Sequence, residues 1–153
     1  MGMFSNVKMA VVVGLAAVLP QAVLAECMPV AGTIDAAVVG GEPVNVLGNV
    51  SGDLAGATRA VLLGQQPGEG GTVALDLAHD FVTNERGSLK TVDKAVWTPI
   101  PGRNGVFHMS TEYKIEGGTG AYAGASGSLI NDGVADTNTG LVTLRYAGEV
   151  CVK

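Results

Sequence analysis

The sequence predicts an all-β protein, an eight-stranded antiparallel β-barrel that follows an N-terminal signal peptide. Apolar and polar residues alternate with a period of two, which is the period of a half-buried strand. The chain contains 23 glycines, many of them in turn-rich pieces between these segments, and no segment after residue 26 shows a sustained helical period. Closing the strands on themselves leaves no exposed edge, so a barrel is preferred and a two-sheet sandwich is the alternative.

The first part of the chain is expected to be an export signal. Lys8 supplies a positive charge, residues 9–19 form an uncharged apolar run, and small residues precede an expected cleavage after Ala25. The run is shorter than the roughly 20 residues that cross a bilayer, which makes a retained membrane anchor the weaker alternative. We therefore expect residues 1–25 to be a signal peptide and residues 26–153 to form a single β-barrel domain, secreted or periplasmic, with no stable membrane span after processing.

The composition argues against nucleic acid as a partner. The chain has 9 Lys and Arg against 14 Asp and Glu, for a formal net charge of -5, and a negative protein repels phosphate backbones. With 47% hydrophobic and 15% charged residues, it has the composition of one folded domain and not of a disordered chain.

The two cysteines, Cys27 and Cys151, are predicted to form a disulfide bond, because export brings them into an oxidising compartment. In the loop-entropy model, a bridge that closes about 100 residues contributes about 4.7 kcal/mol. The alternative is a lipid-modified Cys27, as in bacterial lipoproteins. That signal expects a small residue where Glu26 stands, and it would leave Cys151 without a partner.

Eight segments are candidate strands. The clearest alternation is at 73–83, 106–116 and 141–150. Weaker patterns with flanking turn residues lie at 30–38, 44–51, 57–63, 87–98 and 126–134.

Apolar side chains at inward positions predict what lines the lumen and binds a ligand there. These ligand-binding candidates are Phe81, Trp97, Met109, Tyr113 and Tyr146. The lumen of an eight-stranded barrel is either just filled by side chains or holds one small ligand, and the sequence leaves both outcomes open.

Two polar residues at inward positions are the candidates for catalysis. His79 lies on the apolar face of its strand and could act as a base near neutral pH, with a hydrogen-bonded core histidine as the alternative. Asp93 has the parity of Ala95 and Trp97 and could be an isolated inward carboxylate, with a salt bridge or turn hydrogen bond as the alternative. The only other histidine is His108, and the spacing of these residues matches no metal site, so we predict no metal and no cofactor.

A glycine-rich stretch before the seventh strand is predicted to be a structural turn, with Tyr122 packed back against the barrel as a plug. Its turn glycines are Gly117, Gly118, Gly120 and Gly124. The stretch also matches the dinucleotide fingerprint, but that motif requires a buried parallel strand before it and a helix after it. Both are missing here, so the turn interpretation is preferred.

The same stretch, Gly118-Thr119-Gly120-Ala121-Tyr122-Ala123-Gly124-Ala125-Ser126-Gly127, resembles the GTG-x-[YF]-x-G-A-x-G segment of the allene oxide cyclase and dirigent barrel superfamily. The resemblance implies a calycin-like, allene oxide cyclase-like eight-stranded barrel with an apolar cavity, and a homo-oligomer, often a trimer. In those relatives the pocket holds a reactive hydrophobic intermediate in a productive shape. No motif between residues 27 and 66 matches their functional polar residues, so no catalytic residue is carried over.

These observations favour a protein that binds a small hydrophobic molecule inside the barrel. One alternative is a cyclase or isomerase, which would need His79 or Asp93 in a solvent-excluded pocket. Another is a scaffold or surface protein, which predicts a filled lumen. An open cavity would therefore separate the first two hypotheses from the third.

Overall fold

The computed structural model describes residues 24–84 and 86–153, and they form a closed antiparallel barrel of eight strands in chain order. The strands are β1 Glu26–Gly40, β2 Asn45–Gly52, β3 Gly56–Pro67, β4 Val73–Thr83, β5 Gly87–Pro99, β6 Val106–Gly118, β7 Ser126–Asp136 and β8 Leu141–Val152. Single 3-10 turns occupy Glu69–Gly71 and Gly120–Tyr122. Nearly all of the predicted signal peptide lies outside the described residues, and within them no helix is long and apolar enough to cross a membrane.

The predicted fold class is confirmed, and the closed strand order excludes the sandwich alternative. Several strands are longer than their sequence patterns. The strand predicted at 57–63 continues to Pro67, because a register shift between Leu62 and Gly64 lets the pairing with β4 resume beyond it. A bulge of this kind breaks the alternation of apolar and polar residues, so a strand that contains one appears shorter in the sequence.

The alternation in the three clearest strands matches their burial. Inward side chains are buried at every second position, and the intervening residues on the outer face are more exposed. The buried side chains that follow this alternation are Leu75, Leu77, His79 and Phe81 in β4, Met109, Thr111, Tyr113 and Ile115 in β6, and Val142, Leu144, Tyr146 and Val150 in β8, and Val106 at the start of β6 is buried as well. Burial of a Leu, Val or Phe side chain stabilises a fold by about 1.5–3 kcal/mol. These rows of inward-facing side chains therefore supply much of the driving force for folding.

The seam between β1 and β8 closes the barrel. Cys27 and Cys151 are direct partners in this antiparallel pairing, and the structure shows the predicted disulfide between them, with the Cα atoms 3.9 Å apart. The bridge joins residues 124 positions apart in sequence. It therefore links the first strand to the last strand, close to where the barrel segment of the chain begins and ends.

A plug of large side chains closes the end of the barrel that carries the chain termini. Tyr122, from the turn before β7, is only 1% exposed, and the Arg86 guanidinium lies 5.3 Å from the centre of its ring. The Tyr146 hydroxyl donates to the Ser51 carbonyl and accepts from the buried backbone N–H of Leu54. Burial raises the pKa of Tyr146 above its ordinary value, so the phenol remains a donor in this network.

The glycine-rich turn between β6 and β7 combines left-handed backbone conformations with close packing. Gly120 has a φ of +62°, and a Cβ added there would lie 2.7 Å from the backbone oxygen of Arg86. Gly124 has a similar φ of +69° but nothing within 4 Å of an added Cβ. Gly117 also has a positive φ, whereas Gly118 does not and instead packs against the backbone of Ser88.

Alanine at Gly120 and at Gly124 should therefore separate backbone strain from close packing. Each variant should lose roughly 1 kcal/mol for the left-handed conformation. Gly120→Ala should lose about 1–2 kcal/mol more, because the backbone around Arg86 must move. Urea unfolding of the two variants beside the unmodified protein measures the difference, and equal losses would contradict the proposed close packing at Gly120.

Candidate ligand-binding site

An apolar cavity of about 100 Å³ lies at the end of the barrel opposite the plug. Its walls come mainly from β1 to β4 and β8, with Trp97 from β5 and Met109 from β6. The inward side chains on β1 and β3 are small here, with Ala36 and Ala60 at the wall. Small side chains at these positions leave space that larger ones would fill.

The predicted ligand-binding residues divide between the two halves of the lumen. Trp97 and Met109 line the cavity. Phe81, Tyr113 and Tyr146 are buried in the hydrophobic core and are not among the residues that line it. Parity shows that all of these side chains face inward, but the position along the barrel axis decides which of them meets open space.

The wall that Trp97 forms is braced by a second aromatic residue. The Trp97 ring stacks on Phe107 of β6, with the ring centres 5.2 Å apart and an angle of 26° between the planes. Trp97 itself is half-buried, so its ring combines a packed face with partial solvent access. This makes Trp97 a natural reporter for occupancy of the cavity.

His79 and Asp93 form a buried pair beside the cavity. The Nδ1 atom of His79 lies 2.5 Å from Oδ2 of Asp93, and the two residues are 8% and 3% exposed. In the ladder between β4 and β5, His79 is opposite Thr91 and Asp93 is opposite Leu77, so the two side chains meet along a diagonal. Both face inward as predicted, and Asp93 is paired instead of isolated.

Further polar side chains surround this pair inside the barrel. The Asn131 amide donates a hydrogen bond to the Tyr113 hydroxyl. Burial raises the pKa of Tyr113 far above its usual range, and the negative charge of Asp93 raises it further. Thr91 and Thr111 are also buried, and within the described residues their hydroxyls, Oδ1 of Asp93 and Oδ1 of Asn131 have no hydrogen-bond partner.

Sequence reasoning did not single out Thr91, Thr111 or Asn131. A usable signal was present, because Thr111 has the inward parity of Met109 and Tyr113. Asn131 is directly opposite Thr111 across β6 and β7. Buried polar groups usually have partners, so this inward polar cluster distinguishes the barrel from one that is filled only with apolar side chains.

The chemistry available at the cavity centres on the His79 ring. An ionised carboxylate only accepts hydrogen bonds, so with Asp93 ionised Nδ1 donates to it and Nε2 is the ring nitrogen left for a ligand. A histidine oriented in this way can serve as a hydrogen-bonding group or as a base. In the part of the chain that the structure describes, no three His, Cys, Asp or Glu side chains are grouped so that they could hold a metal ion.

The outer face carries a separate shallow groove across β3 to β7. Exposed Leu63, Val92 and Ile130 lie along it, beside an ion pair in which Lys94 Nζ is 2.5 Å from Asp76 Oδ1. Exposed ion pairs contribute little to stability. The homo-oligomer that the family resemblance implies remains a prediction.

Removing one partner of the buried pair should cost more than removing both. His79→Phe leaves Asp93 as an uncompensated buried carboxylate, and we expect a loss of about 3–5 kcal/mol. The double variant His79→Phe/Asp93→Leu replaces the pair with apolar side chains and should recover most of that loss. Denaturant unfolding provides both values, and a double variant as unstable as His79→Phe would count against this electrostatic account.

Comparison with protein-family models, with curated proteins and with solved structures gives no match. The resemblance to the allene oxide cyclase and dirigent superfamily therefore stays a prediction from the glycine-rich motif.

Proposed function

We propose that the protein binds one small hydrophobic molecule in the cavity at the unplugged end of the barrel. The observation that carries this proposal is the contrast between the two halves of the lumen. One half is filled by buried aromatic and aliphatic side chains, and the other leaves about 100 Å³ of apolar space. A fully packed scaffold would not need this space.

The size and lining of the cavity define the class of ligand. Since a water molecule takes up about 30 Å³ in the liquid, the cavity is large enough for a compact molecule of a few heavy atoms, or for the apolar end of a longer one. Valine, leucine and alanine side chains make up most of its wall. Each Å² of apolar ligand surface removed from water contributes roughly 25 cal/mol, so affinity would come mainly from burial.

We also propose a secreted or periplasmic location. The bridge between Cys27 and Cys151 is of a type that persists in oxidising compartments. The apolar N-terminal run, with small residues before Ala25, has the pattern of a cleavable export signal. Binding would then take place outside the cytoplasm.

A cyclase or isomerase is the second candidate, and the pair of His79 and Asp93 beside the cavity is the observation that supports it. Orienting a bound apolar substrate requires little more than a shaped wall. His79 could add proton transfer, because its Nδ1 is held by a carboxylate. Turnover that is lost in His79→Phe/Asp93→Leu, while binding persists, would move the assignment from binding protein to enzyme.

Filling the cavity should strongly weaken binding without harming the fold. Ala60→Leu adds an isopropyl group at the cavity wall, whereas Ala57→Leu adds the same group on the exposed face of the same strand. With toluene as the probe, the unmodified protein and Ala57→Leu should show a saturable change in Trp97 fluorescence at one site per chain. Ala60→Leu should bind at least about tenfold more weakly, because its side chain occupies ligand volume.

The stability of the same two variants provides the control. In an open cavity the larger side chain finds room, whereas overpacking of a filled core costs about 1–3 kcal/mol. Ala60→Leu should therefore unfold at nearly the same denaturant concentration as Ala57→Leu. A strongly destabilised Ala60→Leu, together with no saturable response in the unmodified protein, would defeat the binding proposal.

A further inference from the structure

We propose that the ligand carries one uncharged oxygen, as a small ketone or alcohol does, and that this oxygen hydrogen-bonds to Nε2 of His79. This inference rests on the proposed function, because it specifies the ligand of the same cavity. It goes beyond that function by assigning a polar recognition point to a site that is otherwise defined by apolar burial.

His79 lies in the wall of the apolar cavity. Three of the residues that line the cavity carry polar side-chain atoms, namely His79, Gln65 and Trp97. The indole Nε1–H of Trp97 can only donate, and it is buried with no hydrogen-bond partner within the described residues, so Trp97 is a second recognition point to be tested. Gln65 is exposed, near the C-terminal end of β3, whereas His79 is buried. A polar group that is buried beside apolar walls contributes selectivity, because a ligand that matches it keeps the group hydrogen-bonded.

One nitrogen of the His79 ring is available to hydrogen-bond a ligand. Nδ1 is occupied by Oδ2 of Asp93 at 2.5 Å. Within the described residues, Nε2 of His79 makes no hydrogen bond, and it is not one of the fully buried unpaired atoms. Nε2 is therefore the polar atom through which His79 can contact a molecule in the cavity.

Neighbouring side chains hold the His79 ring in place. His79 stacks on Phe81 with ring centres 5.6 Å apart, and it meets Tyr113 in a T-shaped contact with ring centres 5.1 Å apart. Together with Asp93, these contacts hold the imidazole on three sides. A group that is fixed before binding loses little freedom when the ligand arrives, so the hydrogen bond can add to affinity.

The cavity wall disfavours charged ligands. Moving an unpaired ion into an apolar site is costly, and the described residues that line the cavity include no Asp, Glu, Lys or Arg that could pair with one. A carboxylate or an amine would therefore be excluded. An alcohol oxygen can hydrogen-bond to Nε2 whether that atom donates or accepts, whereas a ketone oxygen can do so only when Nε2 donates. The rest of the ligand remains apolar.

The experiment compares oxygen compounds with a hydrocarbon of the same shape. Cyclopentanone, cyclopentanol and methylenecyclopentane are titrated separately into the protein and followed by NMR at the Met109 methyl group. At least one oxygen compound should bind about five- to tenfold more tightly than the hydrocarbon, as expected for one hydrogen bond. In His79→Phe/Asp93→Leu this preference should disappear, so that the oxygen compounds bind no more tightly than the hydrocarbon.

The matched control is the other histidine–aspartate pair of the chain. His108 and Asp132 lie 3.2 Å apart on the outer face, so His108→Phe/Asp132→Leu removes the same groups away from the cavity and should keep the preference. A ¹⁵N shift of His79 Nε2 with the preferred oxygen compound, and none with methylenecyclopentane, tests the contact in the unmodified protein without relying on any variant.

The outcomes separate the two proposals. If none of the three compounds binds, the proposed function fails. If all three bind equally well, if the preference survives in His79→Phe/Asp93→Leu, or if Nε2 shows no selective shift, the cavity binds ligands but the recognition at His79 is wrong. If Gln65→Leu or Trp97→Phe alone removes the preference, that residue is the recognition point and the inference is likewise wrong.

Discussion

The pairing of β1 with β8 closes the sheet, and the interior exists only because of this closure. In an open sheet of eight strands the inward faces would not converge on a single lumen, and the two outer strands would expose unpaired backbone groups. The disulfide between Cys27 and Cys151 lies within the same seam. It restrains the unfolded chain at the place where closure brings together the residues most distant in sequence.

Within the closed barrel, the two halves of the lumen serve different purposes. Large side chains such as Phe81, Tyr122 and Tyr146 are packed in the hydrophobic core, and the hydroxyl of Tyr146 ties Leu54 into the plug. The other half has Ala36 and Ala60 in its wall and stays partly open. A well-packed core on one side gives the cavity on the other side rigid walls, which is the condition for a preformed binding site.

Alternation in the clearest segments, with turn residues between the weaker ones, was sufficient to predict a chain of strands. The barrel was preferred over a sandwich because closure leaves no exposed edge. The alternation also predicted that His79 and Asp93 face inward. Their contact could not be predicted, since it depends on the register that sets Asp93 opposite Leu77, and register is a property of the paired strands. For the same reason, the alternation of inward and outward positions predicted that Phe81 and Trp97 both bind the ligand, although of these two only Trp97 lines the cavity.

The sequence could not predict that part of the lumen is open. Whether a lumen is filled depends on how side-chain volumes from different strands add up at one height of the barrel, and that height depends on strand tilt and stagger. The bulge in β3 after Leu62 moves Gln65 into register with Leu75, a change that no periodic pattern predicts. Polar residues such as Thr111 and Asn131 are recognised as a cluster only after strands β6 and β7 are placed side by side.

The central claim is that one apolar cavity remains open inside an otherwise packed barrel, and xenon binding tests it most directly. Xenon enters dry apolar cavities without requiring any particular polar group. A crystal structure under xenon pressure should show one xenon atom in contact with the side chains of Leu75, Met109 and Leu144, which line the cavity, and none near Tyr122. A barrel that takes up no xenon, or that binds it only at the plugged end, would contradict the account.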